Sequence, residues 1–290
     1  MASAAASPSS DSHEPRGHSL FWEWCADFGR LFVNWIEAMG DVAIFSGRTI
    51  KWLFTRRPSP GTLVPSFYQI GVLSLPVVAL TGTFIGMVLA VQSYSQFRAL
   101  GLETRLGAVI NMALVRELGP VLAATMLAGR VGSAMAAELG TMRVTEQIDA
   151  LESMGTNSIH YLVVPRFLGF LLLIPALTII AVFMGVVGGW VFSTRLFGVD
   201  DHHYWENSKS FVRAFDLFIG VFKSVFFGAA IALISCHKGF NSDPGAEGVG
   251  RAATKAFVYS FVVILLIDLL LGIMLESVYK MLYPEGPRIV

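Results

Sequence analysis

The chain has 290 residues, of which 54% are hydrophobic and only 14% are charged, and its formal net charge is zero. Soluble domains carry about 25% charged residues, so this composition, together with long uncharged stretches, indicates a membrane protein. The neutral balance gives no indication of nucleic-acid binding. Cys25 and Cys236 are the only cysteines, and they lack the spacing of a metal site or a disulfide framework.

The N-terminal region divides into a tail and a helix. Residues 1–19 are rich in Ser, Ala and Pro without an apolar core, which predicts a disordered tail and not a targeting peptide. Residues 20–39 place apolar and tryptophan side chains at helical spacing with charges between them. We expect an amphipathic helix in the headgroup layer, since no soluble domain is present for a core helix to pack on. With the basic segment that follows, this region covers residues 20–57.

Residues 58–290 form the predicted membrane domain. Five of its stretches are apolar enough to cross a bilayer, and each must be helical because lipid cannot satisfy an open sheet edge. We therefore predict an all-α membrane protein with an N-terminal interfacial helix, five transmembrane helices and a short cytoplasmic helix. The predicted spans are residues 68–95, 107–139, 167–194, 214–236 and 256–279.

The basic cluster before the first span sets the predicted orientation. Arg48, Lys51, Arg56 and Arg57 belong in the cytoplasm by the positive-inside rule. An odd number of spans then places the N-terminus in the cytoplasm and the C-terminus on the opposite side. The loop over residues 141–166 is cytoplasmic in this arrangement.

Small residues recur every four positions in the second span, at Ala128, Gly132, Ala136 and Gly140. This spacing allows two membrane helices to approach closely. A helix interface along a moving transport path and static packing explain the pattern equally well.

Ionisable residues lie inside the predicted spans, where charge is costly and usually faces a partner or a cavity. Arg116 and Glu117 indicate either a polar cavity or charges at the membrane interface. Lys223 lies seven residues after Asp216 on one helix face, and it meets either a lipid phosphate or an acidic partner, or extends toward water. Asp268 favours an interhelical hydrogen bond over a proton relay.

No catalytic pattern is evident. Residues 239–256 are rich in glycine, but the Gly-Lys-Ser/Thr of a phosphate-binding loop is absent from the whole chain. His202 and His203 lie beside Asp200 and Asp201, where a solvated loop is favoured over a metal site. We expect no metal, no resident cofactor and no enzymatic activity in this chain.

The segment TMRVTEQIDALESMG, residues 141–155, interrupts the apolar sequence with charged residues. Its apolar residues at helical spacing predict one stripe of a short amphipathic helix, with Glu146 in the first turn and Gly155 at the end. A connector on the membrane surface fits poorly, because acidic residues are repelled by an anionic leaflet. A helix that docks a cytoplasmic protein explains both faces. The stripe comprises Val144, Ile148, Leu151 and Met154.

Three stretches resemble the MlaE/YrbE family of ABC-transporter permeases. They are ELGPVLAATMLAGRVGSAMAAELGTMRVTEQIDALESMG, YLVVPR and GAEGVGRAATKAFV. The resemblance covers roughly residues 20–282 and is most specific over residues 117–166.

The resemblance implies a homodimeric permease subunit in the bacterial inner membrane, with its C-terminus in the periplasm. It implies transport of phospholipids between the inner membrane and the periplasm or outer membrane, which maintains lipid asymmetry. The implied partners are a cytoplasmic ABC ATPase that binds ATP and Mg²⁺, a periplasmic ring of MCE-domain proteins and a STAS-domain protein. The residues implied for the coupling helix that docks the ATPase are Thr145, Glu146, Gln147, Ile148, Asp149, Ala150, Leu151 and Glu152; among these, Glu146, Asp149 and Leu151 are the strongest candidates.

Two other functions compete with this interpretation. An ion-coupled secondary transporter could use Asp216, Lys223 and Asp268, although the inverted repeats of many such transporters are not evident. A membrane scaffold that recruits an ATPase without transporting lipid would need no lipid cavity.

Overall fold

The computed structural model describes residues 20–55 and 60–282. Within those residues there are eleven α-helices and no strand, so the predicted all-α class is confirmed. The helices are α1 (Leu20–Thr55), α2 (Pro60–Phe67), α3 (Leu75–Ala99), α4 (Leu106–Ala113), α5 (Gly119–Leu127), α6 (Ser133–Val144), α7 (Gln147–Ser153), α8 (Val164–Val191), α9 (Asp201–Phe211), α10 (Ala214–Phe240) and α11 (Gly245–Leu282).

Five helical segments of the described chain are long and apolar enough to cross a membrane. Each contains one of the five predicted spans, so the five-helix prediction is confirmed, and each extends past the predicted bounds. We call them spans 1 to 5. The side of the bundle on which α7 lies, between the end of span 2 and the start of span 3, is called the α7 end. The spans are Gly61–Ala99, Glu103–Val144, Ile159–Leu196, Ala214–Phe240 and Gly245–Met281.

Spans 1 to 3 contain short π-helical segments, and proline explains three of these. Proline has no N–H, so the carbonyl four residues earlier loses its helical partner. The carbonyls concerned belong to Val72, Arg116 and Tyr161, and all three lie within π-helical turns. A widened turn therefore lets spans 1 to 3 continue past the prolines.

The helix predicted over residues 20–39 is present, but α1 continues to Thr55. No proline or other strong breaker occurs in this stretch before Pro58. Residues 20–44 belong to one compact unit and residues 45–282 to another. The described side chains of the first unit include an exposed ion pair between Asp27 and Arg30. Its position at the membrane surface stays a prediction, and residues 1–19 and 56–59 lie outside the described residues.

Helices α3 and α8 pack with their backbones in contact. A Cβ atom added to Gly82 would overlap the carbonyl of Ala181, and one on Gly86 would overlap that of Gly185. From the other side, a Cβ on Gly188 would overlap the carbonyl of Thr83. Only glycine permits this approach, which explains why the two longest apolar runs of the membrane domain associate so closely.

The opposite end of the spans carries α9, where the sequence predicted a solvated loop around the histidines. The side chain of Asp200 caps α9 by accepting a hydrogen bond from the backbone N–H of His203 at 3.2 Å. Tyr204 is fully buried, and its hydroxyl donates to Asn111 of α4 at 3.3 Å. Burial raises the pKa of Tyr204 to about 12. These contacts fold the loop into a helix that is fixed to span 2.

Candidate functional site

The candidate coupling segment, residues 145–152, begins with a sharp turn. Glu146 has a positive φ of 57°, in the left-handed region that side chains rarely adopt. Its backbone carbonyl accepts the N–H of Ala150 at 3.0 Å, so Glu146 is the N-cap and α7 starts at Gln147. The expectation that Glu146 lies inside the first turn is therefore wrong by one position. The cause is a backbone dihedral angle, which helical spacing does not report.

The end of α7 follows the prediction for Gly155. Its φ is 75°, and its N–H donates to the carbonyl of Glu152 at 2.9 Å. The N–H of Thr156 donates to the carbonyl of Leu151 at 3.1 Å. Together these bonds form a Schellman motif, which requires a left-handed residue and so favours glycine.

The apolar stripe of α7 is divided between the protein interior and solvent. Ile148 is only 2% exposed, and Leu151 packs partly buried against the same cluster. Val144 and Met154 are exposed, the latter by 72%. Ile148 and Leu151 therefore hold α7 on its own chain, so Leu151 lies on the opposite side from the free face. The buried cluster comprises Phe45, Leu139, Ile148, Leu162, Val163 and Cys236.

The outward face of α7 is acidic. Asp149 forms an ion pair with Arg143, and Glu152 accepts a hydrogen bond from the hydroxyl of Ser158 at 2.6 Å. Glu146, Asp149 and Glu152 are all exposed, Asp149 by 54%, so this face presents acidic groups to an external partner. The exposed residues of the segment are Thr145, Glu146, Gln147, Asp149, Ala150 and Glu152.

The stripe of small residues in span 2 packs against α10 of the same chain. Ala128 and Ala136 are completely buried. A Cβ on Gly132 would lie 2.8 Å from the hydroxyl of Ser235, and one on Gly239 would lie 2.9 Å from the carbonyl of Ala136. Gly140 continues the same contact toward the turn after α10, where its carbonyl accepts from Ser242. The structure places the stripe in a tight contact between spans 2 and 4.

Three of the predicted intramembrane charges meet at one point. The Nζ atom of Lys223 lies 2.7 Å from Oε2 of Glu117 and 3.0 Å from Oδ1 of Asp268. The Lys223 side chain is fully buried, Asp268 is 21% exposed and Glu117 is 51% exposed. The interhelical hydrogen bond expected of Asp268 is therefore present. With one formal cation and two anions, this Lys223 cluster links spans 2, 4 and 5 and has a formal charge of −1.

Arg116 faces a different set of partners from its neighbour Glu117. Its guanidinium lies 2.6 Å from Asp216, which is fully buried, and 3.6 Å from Glu276. The ring of Tyr279 lies 4.7 Å below the guanidinium carbon, within cation–π range. Glu276 and Tyr279 were not predicted from the sequence, where an ionisable residue near the end of an apolar span was the available signal.

The chain matches the family model described as "Permease MlaE" over residues 63–274. A probable ABC transporter permease protein of Rickettsia bellii is 39% identical over 243 residues, which are 84% of this chain and 94% of the relative. The intermembrane phospholipid transport system permease protein MlaE of Haemophilus influenzae is 36% identical over 256 residues, covering 83% of this chain and 97% of the relative. The chloroplastic protein TRIGALACTOSYLDIACYLGLYCEROL 1 of Arabidopsis thaliana is 36% identical over 232 residues, 80% of this chain and 66% of its own length.

Proposed function

Because the chain belongs to the MlaE permease family, we propose that it is the membrane subunit of an ATP-driven ABC transporter that moves phospholipids. Energy enters through a partner ATPase that binds ATP and Mg²⁺, since the chain has no phosphate-binding loop of its own. The observation that carries the proposal is α7, a short helix with a packed apolar side and an open acidic side.

The packing of α7 connects a docking event to the membrane. Its buried cluster contains Leu139 from span 2, Leu162 from span 3 and Cys236 from span 4. A force on the outward face of α7 therefore reaches three spans through side chains in van der Waals contact, without a flexible linker between them. This arrangement supports a role in coupling ATPase closure to movement of the spans.

The Lys223 cluster is our candidate for the phospholipid contact within the membrane. A buried ammonium beside half-exposed Glu117 offers a cation to a lipid phosphate, and the two carboxylates offer acceptors to a headgroup amine. Arg116, next to Glu117 in the chain, adds a second cation near this cluster, and it pairs with Glu276 at 3.6 Å. Lipid entry would exchange protein ion pairs for lipid ion pairs, which limits the cost of moving a charged headgroup through the membrane.

The remaining proposals concern assembly. We propose a homodimer through α11, because its large apolar side chains are exposed along most of its length, including Leu265, Leu269 and Ile273. The ATPase would dock on α7 in the cytoplasm, with a STAS-domain protein bound to it, and an MCE-domain ring would cover the opposite, periplasmic end. In a bacterial inner membrane this assembly would maintain outer-membrane lipid asymmetry.

The test reverses the charge of the α7 face by the double substitution E146K/D149K in the full chain, co-expressed with its ATPase. We expect the ATPase to be lost from the purified complex, because like charges replace complementary ones at the docking surface. E206K is the control, since Glu206 is also an exposed carboxylate, 66% exposed, but lies on α9 at the opposite end. Normal ATPase retention and turnover in E146K/D149K would refute the docking role.

A second measurement separates this function from its competitors. An ion-coupled secondary transporter would move labelled phospholipid in liposomes from the purified chain alone, whereas our proposal requires the ATPase and ATP. A scaffold would retain no phospholipid in stoichiometric amount when the purified complex is examined by mass spectrometry. Transport without ATP, or a complex free of lipid, would exclude the proposed function.

A further inference from the structure

A polar cavity lies at the α7 end, away from the Lys223 cluster. It has a volume of about 220 Å³ and is formed by α2, the end of α6 and the start of span 3. Lys223 lies 13 residues before Cys236 along α10, or about 20 Å at 1.5 Å per residue, and Cys236 packs with Leu162 beside the cavity. The polar side chains that line the cavity are Thr62, Ser66, Gln69, Glu138, Tyr161 and Arg166.

The cavity holds one buried cation and one partly open anion. Arg166 is 8% exposed, and its Nη2 atom lies 2.7 Å from Oε1 of Glu138. Its Nη1 atom also donates to the carbonyl of Leu162 at 3.5 Å. A guanidinium has five N–H donors, so these two bonds do not use all of them. Glu138 also lines the cavity, and its side chain is 48% exposed.

We propose that this cavity binds the headgroup of an aminophospholipid from the leaflet at the α7 end. The lipid phosphate would accept hydrogen bonds from Arg166, and the headgroup ammonium would pair with Glu138. The charges of such a zwitterion are opposite in sign and equal in number to those of the cavity, so neither protein charge is left without a partner when the ligand enters.

The surroundings favour a lipid over a free phosphate. Glu138 repels a ligand that is only anionic, and Pro65 and Pro165 supply an apolar part of the lining. Beside the cavity, Val64 and Tyr68 expose 66% and 56% of their surfaces on span 1. The cavity thus lies where span 1 begins, with a polar floor for a headgroup and an apolar flank for acyl chains.

This site goes beyond the proposed function, since binding here requires neither ATP nor transport. Its position between α6 and the start of span 3, the two elements that flank α7, would make headgroup occupancy sensitive to movement of the coupling helix.

The experiment places a photoreactive phenylalanine analogue at Tyr161 of the full chain in nanodiscs that contain equal amounts of phosphatidylethanolamine and phosphatidylglycerol. Tyr161 lines the cavity and is 44% exposed. Phe183 provides the control, because it is 64% exposed and lies 22 residues after Tyr161 on span 3, or about 33 Å at 1.5 Å per residue. We expect at least tenfold preferential crosslinking of phosphatidylethanolamine at position 161 and no preference at position 183.

Two further conditions complete the test. The double substitution E138Q/R166Q, which leaves no lone charge, should abolish the preference at position 161 while labelling at position 183 stays unchanged. Millimolar inorganic phosphate should not reduce crosslinking in the parent chain, whereas dihexanoyl-phosphatidylethanolamine should compete. Equal labelling of both lipids at position 161, displacement by phosphate, or a preference that survives in the double variant would each overturn the proposal.

Discussion

Replacement of Lys223 by Met tests the energetic role of the Lys223 cluster. Methionine keeps most of the apolar stem but removes the ammonium that lies within 3.0 Å of two carboxylates. Removal of one partner from a buried ion pair costs about 3–5 kcal/mol. Glu117 is half exposed and can turn to solvent, whereas Asp268 is 21% exposed and keeps a poorly solvated charge. We therefore expect a loss near the lower limit, about 3 kcal/mol.

The assay is reversible unfolding of the purified chain in mixed micelles with increasing sodium dodecyl sulfate. The triple variant K223M/E117Q/D268N should recover to within about 1 kcal/mol of the parent, because replacement of all charged partners removes the desolvation cost as well as the attraction. K280M is the control: Lys280 makes an exposed pair with Glu276 at 3.7 Å, and its loss should change the free energy of unfolding by about 0.5 kcal/mol or less.

The Lys223 cluster does not have this energetic role if K223M unfolds at the same detergent fraction as K280M. The same conclusion holds if the triple variant is no more stable than K223M, since the loss would then come from packing and not from unpaired charge.

Three further predictions follow from local geometry. G155A should lower the free energy of unfolding by about 1 kcal/mol, because alanine resists the left-handed conformation at φ 75°; G250A, at a helical glycine with open space around it, should be neutral or slightly stabilising. G86V should prevent recovery of folded protein in size-exclusion chromatography, since a side chain there overlaps the backbone of α8. The contribution of Tyr204 to stability should be constant below pH 10 and fall as the pH rises toward 12, because its pKa is about 12 when folded and 10 when unfolded. Y204F should therefore remove about 2–3 kcal/mol of the decline in stability over this pH range in the same unfolding assay, and an unchanged decline would contradict the prediction.

The spans were predictable because a bilayer imposes one simple requirement. Apolar length alone identified all five, and helical spacing identified α7 together with its terminal Gly155. Their exact ends were not predictable, since proline at 76, 120 and 165 would normally stop a helix and is accommodated here by π-helical turns. That accommodation depends on neighbouring helices, which a single stretch of sequence does not encode.

The partners of the intramembrane charges were beyond sequence reasoning for a related cause. Glu117 and Asp268 lie 106 and 45 residues from Lys223 along the chain. Which of them meets Lys223 depends on the rotation of three helices about their axes, and on the side of span 2 that faces α10. Two adjacent residues therefore have different partners: Glu117 contacts Lys223, while Arg116 contacts Asp216. The left-handed backbone conformation of Glu146 was also not predictable, because the surrounding fold can hold a dihedral angle that residue preference disfavours.

The glycine contact between α3 and α8 has a consequence for how the molecule could change shape. Two helices whose main chains touch have no intervening side chains that could change rotamer to absorb a displacement, so they should move together as a rigid body. A transport cycle would then divide the chain into a stationary frame, built on α3 and α8, and a mobile part that includes α11, most of whose large apolar side chains are exposed. Alternating access would be a movement of the other spans relative to that frame. The glycines of the contact, including Gly82, Gly86 and Gly188, would keep α3 and α8 together throughout.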